Sequence, residues 1–231
     1  MRSEQDRQLL KSRFADTICV DNFLTADEVQ YLIKSFESKD NKVYKNTGPV
    51  TSSIKHDDIM STIVQRLQPF IGEFKVYSAD FFNVTFPHII HNDDQKSLPH
   101  TYKAITLPLK LNYRIPTGKM PSLCIFDQYY LEGPAKFFNG DSDIPTYYNS
   151  QVYEYSQVQN KTDKAMDPEL VKNYLTHLRP HWLEGLSVKS VHTWRPGSAI
   201  IFDALKLHCA SDFRRLGIES KLGISIFTYT D

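Results

Sequence analysis

Trp194-Arg195-Pro196-Gly197-Ser198-Ala199-Ile200-Ile201-Phe202-Asp203 is followed by His208 and then by Ser220-Lys221-Leu222-Gly223-Ile224-Ser225-Ile226-Phe227. A Pro-Gly turn feeds a short apolar run, which reads as a strand that closes on His208. The second run reads as the last strand, opened by a lone lysine. Working outward, His91-Asn92-Asp93 ends a stretch rich in β-formers, Val76 to Phe86. Residues two apart at a strand-to-loop junction face the same way, so His91 and Asp93 can reach one ion while Asn92 points away. Two imidazoles and one carboxylate suffice to hold Fe(II) on one face and leave its other positions open. The expected metal ligands are His91, Asp93 and His208.

Other histidines compete for these places. His192 precedes Trp194 on a strand and is the serious rival for the third position. His88 reads as a pocket or a surface residue, and His100, His177 and His181 lack acidic neighbours at ligand spacing. His56-Asp57-Asp58 repeats the tripeptide pattern, but it heads a helix, where i and i+2 do not face each other. Lys221 has two readings. It is either a solvated lysine or a buried cation that needs an anion, such as the far carboxylate of a dicarboxylate cosubstrate. Arg214 and Arg215, in the turn before the last strand, are alternatives for that anion.

Composition bounds the rest. The chain has 231 residues with no long linker, so one domain, 1–231, is expected. Its formal net charge is zero, which gives no basic surface for nucleic acid or an acidic membrane. Thirteen tyrosines and 14 phenylalanines suit β-strands and a lined pocket better than a helical bundle. Three cysteines without a pairing pattern, and a polar start without a signal sequence, place the expected home in the reducing cytoplasm. Neither a membrane partner nor a nucleic-acid partner is expected, and the sequence does not speak to oligomeric state.

Along the chain, residues 1–73 read as mostly helical N-terminal support. Thr25 and Glu28 make a capping box for a helix carrying Val29, Leu32, Ile33 and Phe36; a second helix is expected over 57–71, and 41–55 reads as a loop. Core strands are expected within 74–113 and 188–231, with Pro108 marking an edge or a bulge. Residues 114–187 read as an insertion. It holds further strands at 122–130 and 150–158, a helix over 167–185, and a Tyr-rich stretch from Gln128 to Tyr155. That stretch is either a surface excursion or a substrate lid. The fold class expected is mainly β with flanking helices around a sandwich or barrel.

In three blocks the sequence resembles the Fe(II)/2-oxoglutarate-dependent dioxygenases, on their prolyl 4-hydroxylase-like side. These are Ile18-Cys19-Val20-Asp21-Asn22-Phe23-Leu24-Thr25 with its helix, then His91-Asn92-Asp93 with Leu109-Lys110-Leu111-Asn112-Tyr113, then Trp194 to Asp203 with His208 and Lys221. The resemblance implies a double-stranded β-helix, or jelly-roll, core. It also implies Fe(II) as cofactor, 2-oxoglutarate as cosubstrate with Lys221 pairing its distal carboxylate, and O2 as oxidant. The implied reaction is hydroxylation of an aliphatic C–H bond, with a prolyl residue in a peptide or a small molecule as substrate and no catalytic residue beyond the metal ligands. Halogenases of this type lack the carboxylate, so Asp93 argues against halogenation. The tyrosine that the family often carries ahead of the His-x-Asp pair is replaced here by Phe81, Phe82 and Asn83. Two rivals stand beside this reading: a jelly-roll metalloenzyme that does not use 2-oxoglutarate, and a metal-free carbohydrate-binding jelly-roll module.

Overall fold

A computed structural model describes residues 2–40, 42, 50–54, 59–95, 101–137, 151–153 and 158–231. Its helices are α1 (Glu4–Ser12), α2 (Ala26–Ser38), α3 (Ile59–Ile71) and α4 (Pro168–Tyr174). The strands of the first half are β1 (Ile18–Val20), β2 (Val50–Ser53), β3 (Lys75–Val84), β4 (Thr101–Tyr113), β5 (Ser122–Tyr129) and β6 (Ala135–Phe137). Those of the second half are β7 (Gln151–Tyr153), β8 (Val188–Thr193), β9 (Ala199–Asp203), β10 (Lys206–Ala210) and β11 (Ile218–Tyr229). A six-stranded antiparallel sheet runs β1-β9-β4-β11-β3-β2, and a three-stranded one runs β10-β5-β8. β6 and β7 form a separate parallel pair.

Both sheets are covered on both faces, and strand alternation sorts the side chains. On β11, Leu222, Ile224 and Ile226 pack towards α2 and α3 with Phe81, Ile105 and Leu107. The intervening Lys221 and Ser225 face a cavity between the sheets. On β10, Leu207 and Cys209 join a cluster behind the small sheet with Leu175, Leu178 and Trp182, which leaves His208 and Ala210 on the inner face. Buried at every position, β9 reads as a nearly continuous apolar run, Ala199-Ile200-Ile201-Phe202.

The Arg195-Pro196-Gly197-Ser198 turn launches β9. Ser198 N–H donates to Arg195 O at 3.1 Å, and Gly197 takes φ +83°, the conformation that the third position of a type II turn demands. Pro108 lies inside the six-stranded sheet, not at its edge. The β4–β11 register shifts beside it, between Leu222 and Gly223, so the bulge reading holds and the edge reading does not.

Several expectations need correction. The helix expected over 167–185 is two pieces, α4 and a 3-10 turn at Pro180–Leu183. Arg179 is held extended (φ −74°, ψ 140°) ahead of Pro180, whose ring disfavours helix in the residue before it. Within the expected loop 41–55, Val50–Ser53 pairs with β3 as the sheet's outermost strand. The strand expected to close on His208 ends at Asp203; the histidine sits on β10, in the other sheet. Lys221 is the fourth residue of β11 and not its opening one, and it lies in the other sheet from His208, across the cavity. β5 falls within 114–187 yet is the middle strand of the small sheet. Helix α1 went unexpected; its signal was the Ser3/Asp6 capping box. Among the described residues no helix is long and apolar enough to cross a membrane.

Candidate metal and anion site

His91 and His208 are cross-strand partners. Each donates its backbone N–H to the other's carbonyl, at 3.0 and 2.8 Å, and their ring centroids lie 4.2 Å apart. The Nδ1 of His91 lies 2.7 Å from Ile89 O, and the Nδ1 of His208 lies 3.0 Å from Lys206 O. A carbonyl only accepts, so both rings carry their proton on Nδ1 and turn the bare Nε2 inward. Those Nε2 atoms lie 3.8 and 3.2 Å from the Asp93 carboxylate. The ligating atoms of all three residues fall within 4.8 Å of one another. Three lone-pair donors pointed at one spot repel unless a cation sits among them, so the donor set fits a divalent metal with open positions.

Alternation at the junction holds this geometry. Asn92 is buried and turned away, donating to Tyr130 O and Gly133 O and accepting from Ala135 N–H. Asp93 N–H donates to Ala204 O at 2.8 Å. Burial, reinforced by the neighbouring His208, holds His91 well below the ordinary imidazole pKa, so the ring is neutral at pH 7 as a ligand must be. For Asp93 burial pushes upward, but His208 and His91 more than offset it and the carboxyl is lowered.

Lys221 is 4% exposed, and among the described residues no carboxylate pairs with it. Its Nζ lies 4.6 Å from the Trp194 ring centroid and 5.0 Å from that of Phe213, so aromatic faces carry part of the charge. Burial brings its pKa down to about 7. Gly223 makes room for this packing, since a Cβ there would stand 2.8 Å from Phe82 Cζ and 3.0 Å from Trp194 Cζ2. Lys221, the three ligand candidates, Thr106 and Ser225 share one cavity of about 80 Å³.

The rivals fall elsewhere. His192 is held by Cys19 Sγ at 3.0 Å and Ser190 Oγ at 2.7 Å and does not join the group. Arg214 donates to Thr85 O and Arg215 to Lys172 O, and both are exposed. His88 lines the cavity with its ring 5.6 Å from that of His91. His56 and His100 lie outside the described residues. Tyr130 is buried, and Tyr129 packs edge-on against Phe14 at 4.9 Å, so these two tyrosines are structural. Tyr147, Tyr148 and Tyr155 lie outside the described residues. The packing of Trp194 and Phe213 around the Lys221 ammonium leaves no local signal in the sequence, because both lie far from it along the chain or on a separate turn.

No family model matches the chain, and no curated protein matches it. Solved structures do. A Pseudomonas putida prolyl-4-hydroxylase aligns at TM-score 0.52 and 9% identity, over 98% of this chain and 99% of that one. EctD from S. alaskensis aligns at TM-score 0.52 and 13% identity, over 100% and 77%. SnoK, the non-heme alpha ketoglutarate dependent carbocyclase from nogalamycin biosynthesis, aligns at TM-score 0.51 and 11% identity, over 98% and 83%. At these identities the likeness is one of fold, and the fold is the jelly roll that the sequence led us to expect.

Proposed function

We propose that the chain is an Fe(II)- and 2-oxoglutarate-dependent oxygenase that hydroxylates an aliphatic C–H bond, of a prolyl residue in a peptide or of a small molecule. One observation carries this reading. A buried ammonium that no carboxylate among the described residues pairs shares a small cavity with three convergent lone-pair donors. A buried cation of this kind is tolerated when a ligand supplies its counter-charge. A dicarboxylate that chelates a metal at one end and ion-pairs at the other answers both demands.

In this reading His91, Asp93 and His208 hold the iron, which with bound cosubstrate and O2 supplies the oxidising chemistry. Lys221 pairs the distal carboxylate, and Thr106 and Ser225 line the same cavity. Phe82, Leu123, Trp194 and Phe202 wall the cavity with apolar surface and keep bulk water from the charge pair. The Ile89 and Lys206 carbonyls fix the imidazole tautomers, so no proton has to move for the metal to bind.

Anaerobic addition of Fe(II) and 2-oxoglutarate should give a weak metal-to-ligand absorption band that His91→Ala removes. A wild-type protein without the band sinks the cosubstrate claim. Activity that survives Lys221→Ala would instead favour a metalloenzyme of this fold without 2-oxoglutarate. Release of succinate across a panel of peptides, amino acids, sugars and nucleosides would identify the substrate.

A further inference from the structure

We infer that the N-terminal segment braces the metal site, with Arg2 as a positioning residue; this rests on the ligand set proposed above. Along His91-Asn92-Asp93-Asp94 the odd residues face the cavity and the even ones face away. Both of the latter are clamped. Asn92 is held by the turn that follows β5, through Tyr130 O, Gly133 O and the Ala135 backbone. Asp94 is 1% exposed, and its carboxylate receives both arms of the Arg2 guanidinium, at 2.6 and 2.8 Å. The Thr101 hydroxyl adds a third donor at 2.8 Å.

Arg2 does more than neutralise Asp94. The same Nη1 also donates to Leu131 O at 2.7 Å, within the turn that grips Asn92. One planar fork thus ties together the supports on either side of Asp93. The rest of the segment anchors that fork. Leu10 of α1 packs with Leu131 and Leu205, and Arg7 pairs with Glu132 at 2.7 Å. Leu205 follows Ala204, whose carbonyl accepts the Asp93 N–H. The brace therefore reaches the backbone of Asp93 from the residues before β10 and from the turn after β5. A lysine could meet one of these acceptors as a point charge but lacks the fork that spans both.

Groups that orient metal ligands typically change metal affinity ten- to a hundredfold when removed. A titration of the metal-free protein with Co(II) alone, read by its visible absorption, tests this. Arg2→Ala should weaken Co(II) binding about 10- to 100-fold, with Arg2→Lys between it and wild type. Arg66→Ala, which removes a comparable forked pair with Glu28 far from the site, controls for general destabilisation. It should keep wild-type affinity within about threefold. Wild-type affinity in a folded Arg2→Ala protein, or an equal loss in Arg66→Ala, overturns the brace while leaving the ligand assignment standing. If Arg2→Ala does not fold, undiminished affinity in Arg2→Lys overturns it likewise. No Co(II) binding by wild type would bring down the ligand assignment and the brace together.

Discussion

Lys221 shows how one residue can trade stability for binding. Its ammonium is buried against Trp194 and Phe213 with a pKa of about 7, against about 10.4 in an unfolded chain. Between those values the unfolded chain binds the extra proton, so ligand-free stability rises with pH from 7 towards 10, and the penalty is fully present below 7. Lys221→Met fills similar space without the charge and should raise the melting temperature of the ligand-free protein at neutral pH. The same change should weaken 2-oxoglutarate binding roughly ten- to a hundredfold. Only the charged form meets the carboxylate, so wild-type affinity should fall about tenfold per pH unit above 7, a slope that calorimetry should find missing from Lys221→Met. Gly223→Ala tests the cage from behind, because its Cβ would meet Phe82, Leu107 O and Trp194 at 3.0 Å or less. It should cost roughly 1–3 kcal/mol in denaturant unfolding.

At the scale of elements, the helices support the sheet that carries Lys221. Glu28 closes the α2 capping box with Thr25, and it is forked by Arg66 of α3 at 2.7 Å. The Arg66 guanidinium, with the Thr25 backbone N–H, holds the Glu28 carboxyl down at about 2 despite some burial. A lowered carboxyl pKa stabilises above the unfolded value near 4.3, and that contribution fades as pH falls through about 2. Glu28→Gln should therefore cost about 1 kcal/mol at pH 7. The gap from wild type should narrow below pH 3; an unchanged gap there would assign the effect to packing. Both α2 and its cap were legible because their determinants are local: a side chain three residues from its partner and a 3.6-residue apolar stripe. β10 and the break before Pro180 were not. The first is a five-residue strand of mixed polarity, Lys206–Ala210. In the second, proline geometry overrode an apolar spacing that fitted one continuous helix.

At the scale of the molecule, the site exists only where the sheets face each other. His208 comes from the small sheet, Lys221 from the large one, and His91 and Asp93 from the junction between β3 and β4. Ligands bound there staple the two layers. A redox-inert divalent metal with 2-oxoglutarate, each at about 100 times its Kd, should stabilise by roughly 2.7 kcal/mol per ligand. Thermal shift should show the increment in wild type and none from metal in His208→Ala; an equal shift in both would place the metal elsewhere. The sequence by itself determined most of the longer strands, the helices α2 and α3 with the cap of α2, and the candidate residues, because each depends on neighbours within a few positions. Only the tertiary structure decided that His208, not His192, stands opposite His91, and that Lys221 is buried with no carboxylate among the described residues to pair it. Only it put Trp194 and Phe213 around that charge. Those facts rest on pairings between strands far apart in the chain, and a choice of sheet and register leaves no trace in local spacing.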